Sequence, residues 1–168
     1  MNQLTLMVRR IAHKFDKTPL PPNARLLCEW LRSGLYEQPA CRSCKDQNES
    51  LRFGPAEGPF TYTPFGVICD LHMYCAPANG YWKRAWLRPS NSWWYVDQFG
   101  DISTPNYLSE AVRRWIGFKT SSGSYIDLKT GERCCSIEKI TSYPRPHASF
   151  REVADLIESR PPELFATP

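Results

Sequence analysis

The chain has 168 residues, enough for one domain whose hydrophobic core does not need a metal ion in order to fold. Hydrophobic residues make up 42% and charged residues 23% of it, which argues against intrinsic disorder. It contains no run of 18 apolar residues, so no membrane span is expected. The net charge of +4 is too small to indicate a nucleic-acid partner by itself.

The charges are unevenly distributed along the chain. Residues 1–120 contain 15 Lys/Arg against 10 Asp/Glu, and residues 121–168 contain 6 against 7, so an anionic partner is expected to contact the first two thirds. The number of cysteines, seven, is odd, and "MNQLTLMVRRIAHKFDK" has its charges in the wrong order for a secretory signal. We therefore expect free or metal-bound thiols and a reducing, cytoplasmic location.

Apolar residues at helical spacing predict two N-terminal helices. The first covers residues 3–15, and the prolines of "TPLPPN" end it because proline cannot continue a helix. The second is predicted over residues 24–33, with Asn23 as its cap and Gly34 as its end. Both have one apolar face that can pack on a core.

The segment from 40 to 100 has frequent turns between short aromatic or β-branched runs. The runs "FTYTPFGVIC", "YWKRAWL" and "SWWYVDQF" are therefore predicted to be strands. Only about five turn residues separate the last two runs, a length typical of an antiparallel hairpin.

The last third predicts a helix, a hairpin and a second helix. Thr104 followed by Pro105 marks a helix start. "SYIDLKTGERCCSI" predicts a hairpin with Gly131 at its tip. Ser149 and Glu152 form a capping-box pattern, and the helix they begin is expected to end before the prolines at 161 and 162.

These elements predict a single α+β domain over residues 1–168, with a small antiparallel sheet, two N-terminal helices, one middle helix and one C-terminal helix. We divide it into a helical part (1–34), a zinc loop with aromatic strands (35–100), a helix-hairpin-helix part (101–160) and a tail (161–168).

Two pairs of residues have the spacing of a structural zinc site. Zinc prefers thiolate and imidazole ligands, and a two-residue gap lets one turn bring two of them to the same ion. Cys41 and Cys44 have this gap, as do His72 and Cys75, and 27 residues separate the pairs. We expect these four to bind zinc and clamp the intervening loop, with the pair at 72 and 75 at a strand-to-turn junction. Cys69 is the substitute for His72.

Two other interpretations of these cysteines are open. Free cysteine is among the most buried residue types, so the thiols can simply be packed in the core. A redox pair normally lies at a helix N-terminus, and the residues after Cys44 do not favour a helix. Cys134 and Cys135 are adjacent on a predicted strand and should point to opposite faces, so they cannot easily share one metal. Cys28 is expected to pack in its helix interface.

The segment "YWKRAWLRPSNSWWY", residues 81–95, places four Trp and two Tyr among three cations. Aromatic rings that stack on bases and cations that meet phosphates are typical of single-stranded nucleic-acid sites. The competing interpretation is that these aromatic side chains form the core and its lid, with cation–π contacts inside the chain. The partner-binding residues are predicted to be Trp82, Arg84, Trp86 and Arg88 on one strand face, with Arg9, Arg10, Arg113 and Arg114 as secondary candidates.

The sequence contains no nucleophile elbow, phosphate-binding glycine loop or HExxH motif. We therefore predict a non-enzymatic, zinc-stabilised regulator or inhibitor that docks on nucleic acid or on a nucleic-acid-handling complex. One alternative is a protein–protein inhibitor or adaptor, of the kind that viruses and mobile elements encode, without nucleic-acid contact. The other is a metal-dependent nuclease of the His-Asn-His kind that uses Asp70 and His72.

Overall fold

The computed structural model describes residues 19–38, 51–55, 57–76, 80–84, 92–137 and 148–166. Within these ranges the chain forms four helices: α1 (Pro22–Arg32), α2 (Pro64–Cys75), α3 (Glu110–Ile116) and α4 (Phe150–Glu158). The strands are β1 (Arg52–Phe53), β2 (Thr61–Tyr62), β3 (Tyr81–Arg84), β4 (Ser92–Val96), β5 (Ile102–Ser103), β6 (Tyr125–Ile126) and β7 (Arg133–Cys134). The α+β class with a small antiparallel sheet is confirmed. The helix predicted over 3–15 lies outside the described residues.

The main sheet is antiparallel and has the order β2-β1-β4-β3, with β5 also paired to β4. The predicted hairpin between the two aromatic strands is confirmed, since Trp82 is the partner of Tyr95 in the β3–β4 register. A second two-stranded sheet joins β6 to β7, and its tip uses Gly131 with a φ of +75°. A positive φ is a backbone conformation that glycine adopts at little cost.

α1 begins earlier than predicted. Proline fits the first helical turn, so the helix starts at Pro22 with Pro21 as its cap residue. The prediction that Asn23 caps it is wrong, because its side-chain nitrogen donates instead to the carbonyl oxygen of Trp115, 2.7 Å away. Asn23 therefore connects α1 to α3.

The prediction of a strand through "GVIC" is wrong, since these residues belong to α2. Thr63 caps the helix by accepting a hydrogen bond from the backbone N–H of Gly66 at 3.2 Å, and Pro64 occupies the first turn. Every residue from 64 to 72 is buried. A helix that is apolar on all sides lacks the 3.6-residue pattern that distinguishes a helix from a buried strand.

α3 begins later than predicted. Thr104 and Tyr107 bond to each other in a tight turn, with 2.8 Å between the Thr104 nitrogen and the Tyr107 oxygen. The helix then starts at Glu110 and ends at Ile116, and Gly117, whose φ is +85°, is its C-terminal cap residue. Proline at position i+1 favours a turn as readily as a first helical turn, so Thr104–Pro105 was ambiguous.

The capping box of α4 is confirmed. The Ser149 hydroxyl accepts from the Glu152 backbone N–H at 3.3 Å, and the Ser149 N–H donates to the Glu152 carboxylate at 2.7 Å. α4 packs against α1, where the Cys28 thiol, fully buried, donates to the carbonyl oxygen of Ala154 at 3.6 Å. The packing role expected for Cys28 is thereby confirmed.

The core lies between the sheet and the helices, and the C-terminal residues close one side of it. Leu164 is fully buried, its carbonyl oxygen accepts from Lys119, and Ala166 donates to Gly117. The described part of the tail segment is thus hydrogen-bonded to the domain. No helix in the described ranges combines the length and hydrophobicity needed to cross a membrane.

Candidate binding surfaces around an aromatic network

Half of the expected zinc ligand set lies in the described residues. His72 and Cys75 are three residues apart at the end of α2, so they share one helix face. The junction expected between a strand and a turn is instead the last turn of a helix. Cys69, the substitute ligand, is fully buried in the core, whereas Cys41 and Cys44 lie outside the described residues. The ranges that the structure describes contain no group of three or more potential metal ligands.

His72 is held in place by a neighbouring tyrosine. Its Nδ1 lies 2.8 Å from the Tyr95 hydroxyl oxygen, and only 2% of the residue is exposed. Its ring also makes edge contacts with Tyr95 and Trp115, at centroid distances of 5.7 and 5.4 Å. Burial lowers the pKa of His72, and the carboxylate of Asp97 opposes that shift. The imidazole is therefore neutral at neutral pH.

A pocket of about 380 Å³ opens beside His72, between α2, α3 and the turn after β4. Sequence analysis did not find it, because its lining comes from three separate segments with no shared motif. The side chains that define its chemistry are His72, Phe99, Asp101, Glu110, Arg114 and Trp115.

Asp97 organises the turn that forms one wall of this pocket. Its Oδ1 accepts from the backbone N–H groups of Phe99, at 2.9 Å, and Asp101, at 3.0 Å. The residue is only 2% exposed, and its Oδ2 has no hydrogen-bond partner among the described residues. The turn therefore keeps a buried negative charge next to the pocket wall.

Trp82 belongs to an aromatic network under the sheet rather than to an open ridge. Its indole N–H donates to one oxygen of Asp70 at 3.1 Å, and the Tyr36 hydroxyl donates to the other at 2.7 Å. Its ring packs edge-on against Tyr62 and Tyr95. The half-buried indole of Trp82 thus agrees with the interpretation in which the aromatic side chains cover the core. A direct contact between Trp82 and a partner stays a prediction.

Arg52 fills a cage made by three of these rings. Its guanidinium carbon lies 3.9 Å from the ring centroid of Phe60, 4.4 Å from that of Trp82 and 4.7 Å from that of Trp93. The residue is 8% exposed. Sequence analysis did not single out Arg52, since one cation in a two-residue strand carries no pattern. The chain supplies its own cation to this cage, so the cage is closed to an outside ligand.

We define the β3 surface as Tyr81, Lys83 and Arg84. All three are exposed, Tyr81 to 55%. β3 is an edge strand in the described part of the sheet, where it pairs with β4 alone. The other primary and secondary candidates Trp86, Arg88, Arg9 and Arg10 lie outside the described residues. Of the predicted ridge, the described structure therefore presents Arg84 to solvent.

The arginine pair of α3 divides into two roles. Glu110 bonds both side chains at 2.6 Å, and these hydrogen bonds lower the pKa of its carboxyl to about 2. Arg113 also donates to the carbonyl oxygen of Phe118 at 2.7 Å, so it secures the end of α3. The Arg114 side chain is 74% exposed and contributes to the pocket rim. Arg114 is thus the more accessible of the two.

Asp70 and His72 do not act as a pair in the described structure. Both oxygens of Asp70 accept hydrogen bonds, from Tyr36 and Trp82, whereas His72 bonds to Tyr95. Residues two apart on a helix do not face each other. The carboxylate is therefore not placed to orient this imidazole as a general base.

The chain matches no family model, no curated protein and no solved structure. Function is therefore inferred from the chemistry of the described residues. The β3 surface is cationic and aromatic, whereas the pocket is aromatic with more carboxylates than cations in its lining. These opposite charges point to different ligands for the two sites.

Proposed function

We propose that the protein is a non-enzymatic binding protein, acting as a regulator or inhibitor, that contacts single-stranded nucleic acid or a complex handling it through the β3 surface. The observation that carries this proposal is the exposure of Tyr81 beside Lys83 and Arg84 on one edge strand. A phenol ring can stack on a base of any identity, and Lys83 lies on the same strand face as Tyr81, where it can meet a phosphate. Arg84 lies on the other face of this edge strand and can meet a second phosphate from there.

The hairpin supports this role because it holds the three side chains on a regular strand. All four residues of β3 are in register with β4, from Tyr81 opposite Val96 to Arg84 opposite Trp93. Trp82 fastens the strand from beneath through its hydrogen bond to Asp70. A contact surface that is already ordered loses less conformational entropy on binding. We thus assign Trp82 to positioning β3 and Tyr81 to base stacking.

We further propose a structural zinc ion bound by Cys41, Cys44, His72 and Cys75. Nε2 is the imidazole atom left for the metal, because Nδ1 bonds to the Tyr95 hydroxyl. A ligating histidine usually has its other ring nitrogen held by a second group, and a neutral imidazole is the form that binds zinc. Both conditions suit His72.

Metal content of freshly reduced, untagged protein tests the zinc site. We expect about one zinc per chain for a single four-ligand site, its loss in Cys44→Ser and its retention in Cys28→Ser, where the thiol packs between α1 and α4. Metal-free protein with a cooperative melt, or zinc retained in Cys44→Ser, would remove this ligand set.

Fluorescence anisotropy with labelled single-stranded DNA and RNA tests the contact surface. Affinity should fall about tenfold or more between low and physiological salt if several phosphates are engaged. The double change Lys83→Ala/Arg84→Ala should reduce the slope of log affinity against log salt by about 1.4, roughly 0.7 for each lost contact. Tyr81→Ala should weaken binding and leave the slope unchanged. Lys129→Ala, on the β6–β7 turn, is the matched control.

The same assay separates the alternatives. Absent or salt-insensitive binding would favour a protein partner without nucleic-acid contact. Cleavage of the oligonucleotide in Mg²⁺ or Mn²⁺, abolished in a folded His72→Ala variant, would replace the proposal by the nuclease.

A further inference from the structure

We propose that the pocket beside Phe99 receives a basic side chain, arginine or lysine, from a partner protein. The Phe99 pocket is the cavity described above between α2, α3 and the turn that follows β4. This contact can share Tyr81 with the β3 surface, and it does not depend on the nucleic-acid contact proposed there.

The shape and lining of the pocket suit a long side chain with a planar or compact cationic head. Its volume of about 380 Å³ lies in the range of small-ligand sites. Phe99 stands at its mouth with 77% of its surface exposed, and Trp115 forms part of its wall. Aromatic faces attract ammonium and guanidinium groups, and a guanidinium also stacks on them.

The charges of the lining decide between a cation and an anion. Glu110 is shared by Arg113 and Arg114, each at 2.6 Å, and only Arg114 belongs to the lining, which therefore holds two carboxylates against one arginine. With Arg113 counted as well, the buried carboxylate of Asp97 keeps the balance negative. Asp101 forms no ion pair with the described residues, which leaves the lining with a negative charge. A phosphate group would be repelled here and a cation attracted.

Asp97 adds a second negative charge behind the wall. Only 2% of the residue is exposed, and its Oδ2 has no hydrogen-bond partner in the described ranges. It lies directly behind the lining, because its Oδ1 accepts from the backbone N–H groups of Phe99 and Asp101, which both line the pocket. A buried carboxylate without a full set of hydrogen bonds favours any nearby cation that can compensate it.

The position of the pocket favours a protein partner over a free amine. Tyr81 is the strand partner of Val96, the residue immediately before the Asp97 turn, so the pocket lies at the Tyr81 end of the hairpin. Tyr81 and Phe99 are both large, exposed aromatic residues. A protein segment can contact these rings while its basic side chain enters the pocket, and aromatic and arginine contacts dominate protein interfaces.

Nuclear magnetic resonance titration of the labelled full chain tests the proposal. The probes are the peptide acetyl-Gly-Arg-Gly-amide, its lysine analogue and its citrulline analogue, in which the side chain keeps its shape and loses its charge. We expect saturable shifts at the amides of Gln98, Phe99 and Asp101 with the cationic peptides. The citrulline peptide should bind about tenfold more weakly, equivalent to roughly 1.4 kcal/mol.

Two variants and one control locate the site. Asp101→Asn and Phe99→Ala change exposed side chains. Each should lower the affinity for the arginine peptide by about fivefold or more, as expected for a lost charge or ring contact. Glu132→Gln removes an exposed carboxylate on the β6–β7 turn and should have no effect. Thermal melts of all three variants establish that each is folded.

Equal binding of the citrulline peptide, or unchanged binding in Asp101→Asn, would overturn the proposal. If putrescine binds as tightly as the arginine peptide, the flanking peptide contributes nothing. That result would overturn the inference that the basic group belongs to a partner protein. Asp101→Asn and Phe99→Ala should leave oligonucleotide affinity within about twofold, so failure here is distinguishable from failure of the nucleic-acid proposal.

Discussion

The backbone of Gly80 lies directly against the Tyr95 hydroxyl, the same group that holds His72 at 2.8 Å. A Cβ atom built on Gly80 would overlap that hydroxyl oxygen and the ring carbon that carries it. The entry to β3, the middle of the sheet and the end of α2 therefore meet at one point. This contact ties the β3 surface to the wall of the Phe99 pocket.

We predict that Gly80→Ala destabilises the protein by about 1–3 kcal/mol, the usual cost of overpacking a core. Tyr95 must move to admit the methyl group, and the hydrogen bond to His72 is lost with it. Urea denaturation followed by circular dichroism measures the free energy of unfolding. Gly34→Ala is the comparison, because nothing lies within 4 Å of a Cβ at that position and its cost is backbone strain alone. Wild-type stability in Gly80→Ala would contradict the close contact.

Tyr95→Phe isolates the hydrogen bond from the packing. The ring stays, while the buried imidazole nitrogen of His72 loses its partner, so we expect a loss of about 1–3 kcal/mol in the free energy of unfolding. Tyr107→Phe removes a hydroxyl from a side chain that is 49% exposed and should cost less than about 0.5 kcal/mol. A cost in Tyr95→Phe no larger than in this control would show that the bond contributes no net stability.

Arg52 should contribute more to stability than a surface arginine. Arg52→Ala empties a cage of three aromatic rings and removes the cation–π contacts, which should cost about 2–4 kcal/mol from cavity formation and lost attraction together. Arg133→Ala breaks an exposed ion pair with Glu163 at 2.9 Å and should cost about 0–1 kcal/mol. Equal midpoints of urea denaturation for the two variants would contradict the structural role of the cage.

The cysteines should differ sharply in reactivity. Burial is the largest cause that raises the pKa of the Cys28 thiol, to about 12, so at pH 8 it is protonated and inaccessible. Cys75 and Cys135 are exposed. Alkylation of metal-free protein followed by peptide mass spectrometry should label these two within minutes and label Cys28 only after unfolding. Early labelling of Cys28 would contradict its packing between α1 and α4.

The same experiment bears on the metal. In protein purified with zinc, Cys75 should be protected while Cys135 still reacts, because a coordinated thiolate is shielded. Equal reaction of both cysteines in zinc-loaded protein would exclude Cys75 from the ligand set.

Local patterns predicted the elements whose geometry is fixed by neighbouring residues. The capping box at Ser149 and the glycine turn at Gly131 each specify hydrogen bonds or dihedral angles within a few residues, and both were found in place. The β3–β4 hairpin followed equally from two short aromatic runs with a brief connection. Such features need no knowledge of the tertiary fold.

Features that depend on burial from all sides or on distant segments could not be predicted. α2 is apolar on every face, so its residues satisfied a strand pattern as well as a helical one. The Phe99 pocket joins residues near 72, 99 and 114, and the Arg52 cage joins residues near 52, 60, 82 and 93. Alternation along β3 could not show that the Trp82 indole is half-buried, because its contacts with Asp70, Tyr62 and Tyr95 come from other elements.

The pairing of α1 with α4 has a consequence for synthesis of the protein in the cell. Arg32 bonds to Asp155 at 2.6 Å, so elements more than 120 positions apart meet in the final structure. Until the ribosome has released residues 150–158, Leu27, Cys28 and Leu31 have no α4 to cover them. We expect nascent chains to expose this apolar stripe until residues 150–158 emerge, and to need chaperone protection over that interval. A premature stop codon anywhere before Phe150 should yield a product that proteases remove rather than a shortened, working domain.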